Sequence, residues 1–271
     1  MQPRDLEIVR LVSEHRVISS DDLQLLITGS DQGILRRLQR LFHGGFLDRP
    51  RSQRQRGNQP IVYALGQRGA QLVAHEPGVT NKADWSDKNR QLTAHYLEHA
   101  LMISRFQTAL RYACHKSQIV SLDRWLPDGF VRDSVRVEND AGVQQRIPVA
   151  PDAFFVLRVS DDDHPGRIHV FLEADRSTMT VERFLTKLRG YYGYWRSGQA
   201  EKRLGMKKFL VATVARSEER ATNLLRTSQQ VAERGLRMFL FTCESEYLPA
   251  TRRRILEPIW RGNDGPRSLL E

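Results

Sequence analysis

Cysteine is almost absent: Cys114 and Cys243 are the only two in 271 residues, far apart and outside any C-x-x-C pair. That excludes a disulfide framework and a zinc ribbon, and leaves both thiols to pack as small hydrophobes. Long apolar runs are also missing, and Met1 is followed by polar residues rather than a signal-like core. A cytoplasmic protein without a membrane partner is therefore expected. Acid is in short supply, with 32 Asp and Glu against 42 Lys and Arg, a net charge of +10 and a pI near 10.0. Such a balance favours polyanionic partners, through phosphate neutralisation and counterion release. The length is sufficient for two domains, each with a core of its own.

Near the N-terminus, Leu6, Ile8, Val9, Leu11 and Val12 recur at helical spacing after Pro3. Ser19 or Ser20 can cap a second helix through Leu26, and Ser30 a third from Asp31 to His43, stopped by Gly44 and Gly45. On the third, Leu35, Leu38, Leu41 and Phe42 are expected to face the core. Two short apolar segments, 46–49 and 61–65, then read as a hairpin around an irregular basic tip, and 66–74 as a helix. No acidic residue lies between Arg49 and Arg68. Three helices and a basic hairpin follow the plan of a winged helix-turn-helix, in which a helix enters the major groove and a basic loop follows phosphates. The residues expected to touch DNA are Arg36, Arg37, Gln39 and Arg40 on the helix and Arg49, Arg51, Arg54 and Arg56 on the wing.

A polar linker leads to a long helix with Leu92, Tyr96, His99, Ile103, Phe106, Leu110 and Ala113 on one stripe, suited to a sheet, a helix or a second copy of the chain. Within it His95-Tyr96-Leu97-Glu98-His99 matches the H-x-x-E-H string of some zinc proteases. Nothing else in the sequence completes such a site, so core or interface histidines are the preferred reading. Strands are expected at 119–126 and 131–137, with a turn at 139–142.

Asp152 opens an apolar strand, 153–159, and Glu173 and Asp175 close another, 168–172, beyond a polar loop. Residues two apart on a strand share a face. A hairpin would therefore gather three carboxylates at one sheet edge, able to hold Mg²⁺ for phosphodiester cleavage. A helix from Ser177 or Thr178, a strand at 208–215, a helix at 218–233 and a strand at 238–242 complete an α/β alternation.

That order resembles the restriction-endonuclease-like, or PD-(D/E)xK, core. Pro151-Asp152 stands for the PD and Glu173 for the acid, but Asp175 occupies the position of the lysine. Either Asp175 becomes a third metal ligand, or Lys187 reaches in from the next helix, or the acids merely fix the sheet edge with Arg176, Lys187 or Arg189. The catalytic set would be Asp152, Glu173, Asp175 and Lys187, with the three carboxylates as metal ligands. The substituted lysine weighs against an enzyme; no cofactor is then required, and Mg²⁺ belongs only to an active site.

Taken with His95-x-x-x-His99-x-Leu101, PDAFF, FLEADRST and Lys187-x-x-x-Tyr191, the chain from about residue 5 to 245 resembles the replication-relaxation family. The resemblance implies DNA binding on plasmids and other mobile elements, in replication, mobilisation or regulation. The expected fold class is mixed α/β: a winged helix-turn-helix at 1–80, a linker at 81–88, a restriction-endonuclease-like α/β domain at 89–250 and a basic tail at 251–271. The expected function is double-stranded-DNA binding as a transcriptional regulator or a replication or mobilisation accessory factor, as a homodimer. The alternatives are a Mg²⁺-dependent nickase or endonuclease, and an adaptor recruiting a relaxase or replication initiator.

Overall fold

The computed structural model describes the chain apart from residues 57–58, 75–88, 90, 139–141, 162–164, 232–235 and 249–251; for 54–56, 236 and 252–253 it describes the backbone alone. The expected linker at 81–88 thus lies outside the described residues, as does most of the 139–142 turn. The fold is mixed α/β, with eight α-helices among the described residues. It divides into two compact units, 1–108 and 109–271. That boundary falls inside a helix, Ala94–Lys116, rather than in the polar stretch before it.

The first unit contains α1 (Pro3–His15), β1 (Val17–Ser19), α2 (Ser20–Leu26), α3 (Asp31–His43), β2 (Leu47–Asp48), β3 (Val62–Leu65), α4 (Gln67–Val73) and the first turns of α5 (Ala94–Lys116). Its antiparallel sheet has the order β1-β3-β2. Pro3 starts α1, where a missing N–H costs nothing. The hydroxyls of Ser19 and Ser30 cap α2 and α3 by accepting from the N–H groups of Asp22 and Gly33. α3 buries Ile34, Leu38 and Leu41, at intervals of four and three. Leu35 is 41% exposed, contrary to expectation, because Ile34 takes the inward position one residue earlier.

Two further expectations change. The wing tip carries a short 3₁₀ helix, Arg51–Arg56, where an irregular run was expected; the Gln53 side chain accepts from Val62 N–H at 2.8 Å and ties the tip to β3. The buried stripe of α5 is shifted from the expected one. Leu97, Ala100 and Leu101 pack on Val17, Val62 and Ala64, while Tyr96 is 44% exposed. Phe106, Leu110 and Ala113 are buried within the chain as well, whereas Leu92, His99 and Ile103 of the expected stripe are only partly buried.

The second unit is built on a seven-stranded sheet of order β12-β11-β10-β9-β8-β7-β4. Its strands are β4 (Val120–Pro127), β7 (Ala153–Val159), β8 (Gly166–Asp175), β9 (Leu210–Ala215), β10 (Phe239–Cys243), β11 (Trp260–Gly262) and β12 (Gly265–Arg267). β5 (Asp133–Glu138) and β6 (Gln144–Val149) form a separate hairpin, and β6 has no counterpart in the expected element list. β8 pairs antiparallel with β7 and parallel with β9. The crossovers β8–α6 (Val181–Arg196)–β9 and β9–α8 (Glu218–Ser228)–β10 advance in one direction across the sheet, which puts both helices on one face. There Phe184, Leu188, Tyr191, Ala221 and Leu224 share a core with Phe154, Phe171, Val211 and Phe241. The first crossover also carries α7 (Gln199–Leu204), after α6 and before β9. Residues after 251, expected as a tail, instead add β11 and β12 to the sheet, with Trp260 fully buried.

Candidate functional site: a carboxylate–lysine centre and an arginine-bearing helix

Glu173 lies near the C-terminal end of β8, 3% exposed, on the face covered by α6 and α8. An unpaired carboxylate there would be costly. α6 supplies the partners: Lys187 Nζ donates to Glu173 Oε2 and Tyr191 Oη to Oε1. Four residues apart, Lys187 and Tyr191 lie one turn apart on the same helix face. Asp152, which precedes β7, accepts from Ala174 N–H at 2.8 Å, so it sits beside Glu173 across the β7–β8 ladder. Asp152 is half-buried, and the Lys187 side chain 22% exposed, so this side of the centre meets solvent.

The electrostatics follow from that crowding. Burial raises the Glu173 carboxyl; Lys187 opposes the shift and Asp152 adds to it, leaving a pKa of about 7. Burial alone would lower the Lys187 ammonium, but the charges of Glu173, Asp152 and Asp128 more than offset it, so the amine stays protonated. Burial, and with it Glu173 and Asp152, pushes the Tyr191 phenol well up.

Asp175 shares Glu173's face but not its centre. Its carboxylate is held by Arg220 of α8 in a two-pronged pair, 2.9 and 3.0 Å, and also accepts from Ser177 N–H. Arg220 donates further to the Met179 carbonyl at 2.8 Å, tying β8 and the segment before α6 to α8. Removing one member of a buried pair strands the other charge. Arg220→Met is therefore expected to cost about 3–5 kcal/mol, read as a lower urea midpoint for the second unit at unchanged slope.

Thus the structure brings together Asp152, Glu173 and Lys187, and not Asp175. Among the described residues no group of three His, Cys, Asp or Glu could hold a metal ion, which covers both the three carboxylates and the H-x-x-E-H string. Mg²⁺ asks less, since it keeps several waters and is commonly held by one or two carboxylates. Asp152 and Glu173 are the two carboxylates such an ion would meet here, and both Glu173 oxygens are engaged, by Lys187 and Tyr191. The Thr213 hydroxyl, fully buried on β9 opposite Glu173, has no hydrogen-bond partner among the described residues and leaves an unused polar atom beside it.

In the first unit, Arg36, Gln39 and Arg40 are exposed on the side of α3 opposite its buried residues, and Arg51 is exposed on the wing. Arg37 is committed elsewhere, bonded to Asp5 at 2.7 Å and to the Gln2 side chain. Burial would raise the Asp5 carboxyl, but the Gln2 N–H and Arg37 hold it below its ordinary value. Arg49 folds back onto β3, its guanidinium 4.2 Å from the Phe42 ring centre and its Nη2 donating to Tyr63 Oη at 3.0 Å. The side chains of Arg54 and Arg56 lie outside the described residues.

Sequence reasoning missed Tyr191, Thr213, Asp128 and Arg220 as members of these clusters. Tyr191 carried a signal in its spacing from Lys187. Arg220, 45 residues from Asp175, carried none.

Fold and site together define a two-unit mixed α/β protein with an arginine-bearing helix in one unit and a buried acid–lysine centre in the other. A family model described as replication-relaxation matches residues 9–210, well over half of the chain. The chain belongs to the replication-relaxation family, which associates it with replication and mobilisation of mobile elements. No curated protein and no solved structure gives a significant match.

Proposed function

We propose that this chain is a DNA-processing protein of replication or mobilisation, which engages duplex DNA through α3 and cleaves one strand at the Asp152–Glu173–Lys187 centre. One observation carries the reading: the Lys187 ammonium sits on Glu173 while Asp175 is drawn off to Arg220. The charge reversal at position 175 was the sequence's main argument against catalysis. It loses its force when a lysine from α6 supplies the missing cation.

In this reading Asp152 and Glu173 would hold Mg²⁺, which when bound polarises a phosphoryl oxygen. Lys187, kept protonated by its carboxylate neighbours, cannot serve as a base; it stabilises the negative charge gathering on the phosphoryl group. Tyr191 orients Glu173. The element order of the first unit, with its sheet order β1-β3-β2, supports a winged helix whose Arg36, Gln39 and Arg40 face the major groove.

A second reading, a DNA-binding regulator or accessory factor with a purely structural Glu173–Lys187 pair, draws on the deep burial of Glu173. One experiment separates them. A supercoiled plasmid carrying the DNA that flanks the gene is incubated with protein and Mg²⁺ or Mn²⁺. Conversion to open circles, lost in Glu173→Gln with DNA binding retained, supports cleavage. Closed circles with both metals, despite a mobility shift that Arg36→Ala/Arg40→Ala removes, leave the accessory role.

A further inference from the structure

The β5–β6 hairpin carries a charge arrangement that folding does not explain. Arg136 and Arg146 stand directly opposite each other in the ladder, both exposed. Like charges in that position destabilise a strand pair. Arg146 Nε donates to Ser134 Oγ at 2.7 Å, and among the described residues no carboxylate pairs with either guanidinium. Arg132, also exposed and also without an acidic partner among the described residues, lies over Gly129 at the hairpin's base. Beside it Phe130 is 62% exposed, a large apolar ring left outside the core.

The hairpin's position gives these residues a purpose. Its base pair is Asp133 with Val149, and the chain leaves Val149 to reach Asp152 three residues later. Asp128, whose charge acts on Lys187, lies just before Phe130. The Arg136–Arg146 pair is three residue pairs from the base, about 10 Å at the usual strand rise. The hairpin is also seated firmly on α6. A Cβ at Gly190 would come within 2.7 Å of Ile147, and one at Gly193 within 2.6 Å of Val137, so the glycines let the hairpin press against the helix that bears Lys187 and Tyr191.

We propose that the exposed face of the β5–β6 hairpin is a binding surface for single-stranded DNA, Arg132, Arg136 and Arg146 holding phosphates and Phe130 stacking on a base next to the Asp152–Glu173–Lys187 centre. It deepens the cleavage reading and rests on it for the path of the strand. Guanidinium groups along a ridge with an exposed aromatic at one end are what sequence-tolerant single-strand recognition needs. Arg136 and Arg146 face each other across the ladder and Arg132 lies four residues before Arg136 at the hairpin's base, so the guanidinium groups are spread along the hairpin, as an extended polyanion requires and a compact anion does not.

The test uses the full chain in EDTA with fluorescein-labelled oligothymidine and, in parallel, a random-sequence duplex, followed by anisotropy across a salt series. Arg136→Glu is expected to weaken oligothymidine binding by about tenfold or more and to flatten the salt dependence by about 0.7 per lost phosphate contact. Phe130→Ala is expected to weaken it about five- to a hundredfold. Arg136→Glu should not lower the melting temperature, because it places a carboxylate opposite Arg146 in place of a like charge. Arg226→Glu on α8, also exposed, serves as the charge-matched control and should bind within twofold of the parent. Oligothymidine affinity unchanged in both hairpin variants, a loss confined to the duplex, or an equal loss in the control would each overturn the assignment. A parent protein that binds oligothymidine through the hairpin yet never nicks plasmid would refute cleavage while leaving this surface standing.

Discussion

Replacing Lys187 with methionine is expected to lower strand cleavage about a thousandfold, through kcat with KM little changed, because the ammonium acts on charge that develops only in the transition state. Lys187→Arg should recover part of the loss, since it restores the cation but not its position. A purely structural pair would give a different pattern, a fall in stability with no cleavage to lose. The same variant carries a thermodynamic signature measurable in metal-free protein. Glu173, raised to about 7 in the fold from an ordinary 4.5, binds its proton more tightly folded than unfolded. Its contribution to stability is therefore fully present below about pH 4.5 and is lost as pH rises through about 7. Lys187 holds that folded value down, so the methionine variant should keep losing stability at higher pH than the parent does. Urea midpoints at steps from pH 5 to pH 9 would show it, and superimposable profiles would mean that Lys187 does not sit on Glu173.

The half of this centre that was legible in the sequence is the half made by near neighbours. Asp152 and Glu173 stand at the ends of apolar strands, and strand alternation orients them without further information. β7 has the expected bounds, and α3 runs from Asp31 to His43 because Ser30 and Gly44 punctuate it. Lys187 was visible as one choice among several cations, but its direction depends on how α6 rolls on the sheet. That roll is set by Phe184, Leu188 and Tyr191 inside and by the Gly190 and Gly193 contacts outside. Arg220 was not legible at all, since its partner is brought to it only by the β8-β9 pairing and the crossover that follows. β6, β11 and β12 escaped for a related reason: Gln144–Val149 has few apolar residues, with Ile147 and Val149 turned inward, and β11 and β12 are three residues each, too short for a periodicity to register. Leu35 shows the limit at single-residue scale. Ile34 and Leu35 are equally apolar, and packing alone decided which one turned inward.

The other large effect belongs to the first unit and to a residue with no side chain. Gly69 sits in α4, where a Cβ would stand 2.1 Å from the Phe46 carbonyl oxygen and 3.0 Å from Leu65 Cδ1. The obstacle is backbone, and it cannot yield. The Phe46 carbonyl accepts from Gly66 N–H at 2.9 Å and the Gly45 carbonyl from Arg68 N–H at 3.1 Å, while Arg68 Nη1 donates to the Gly44 carbonyl at 2.8 Å and its guanidinium covers the Phe46 ring. The start of α4 is thus locked onto the turn that ends α3 and begins β2. Gly69→Ala must break that lock, at a cost of about 3 kcal/mol or more, the upper end for forcing volume into a packed site. Because the turn fixes α3 against the hairpin, the expected result is a destabilised first unit and duplex binding weakened by tenfold or more at 25 °C, with Arg36 and Arg40 untouched. The second unit should keep its own urea transition, and oligothymidine binding through the β5–β6 hairpin should survive. Gly45, at a φ of 73° and with only the flexible Arg68 side chain near its missing Cβ, supplies the internal comparison. Gly45→Asn, which tolerates the left-handed conformation, should cost far less than Gly69→Ala, although the glycines flank the same contact. Equal losses at the two positions would mean that conformational strain in the turn, rather than the close approach of α4, holds this unit together.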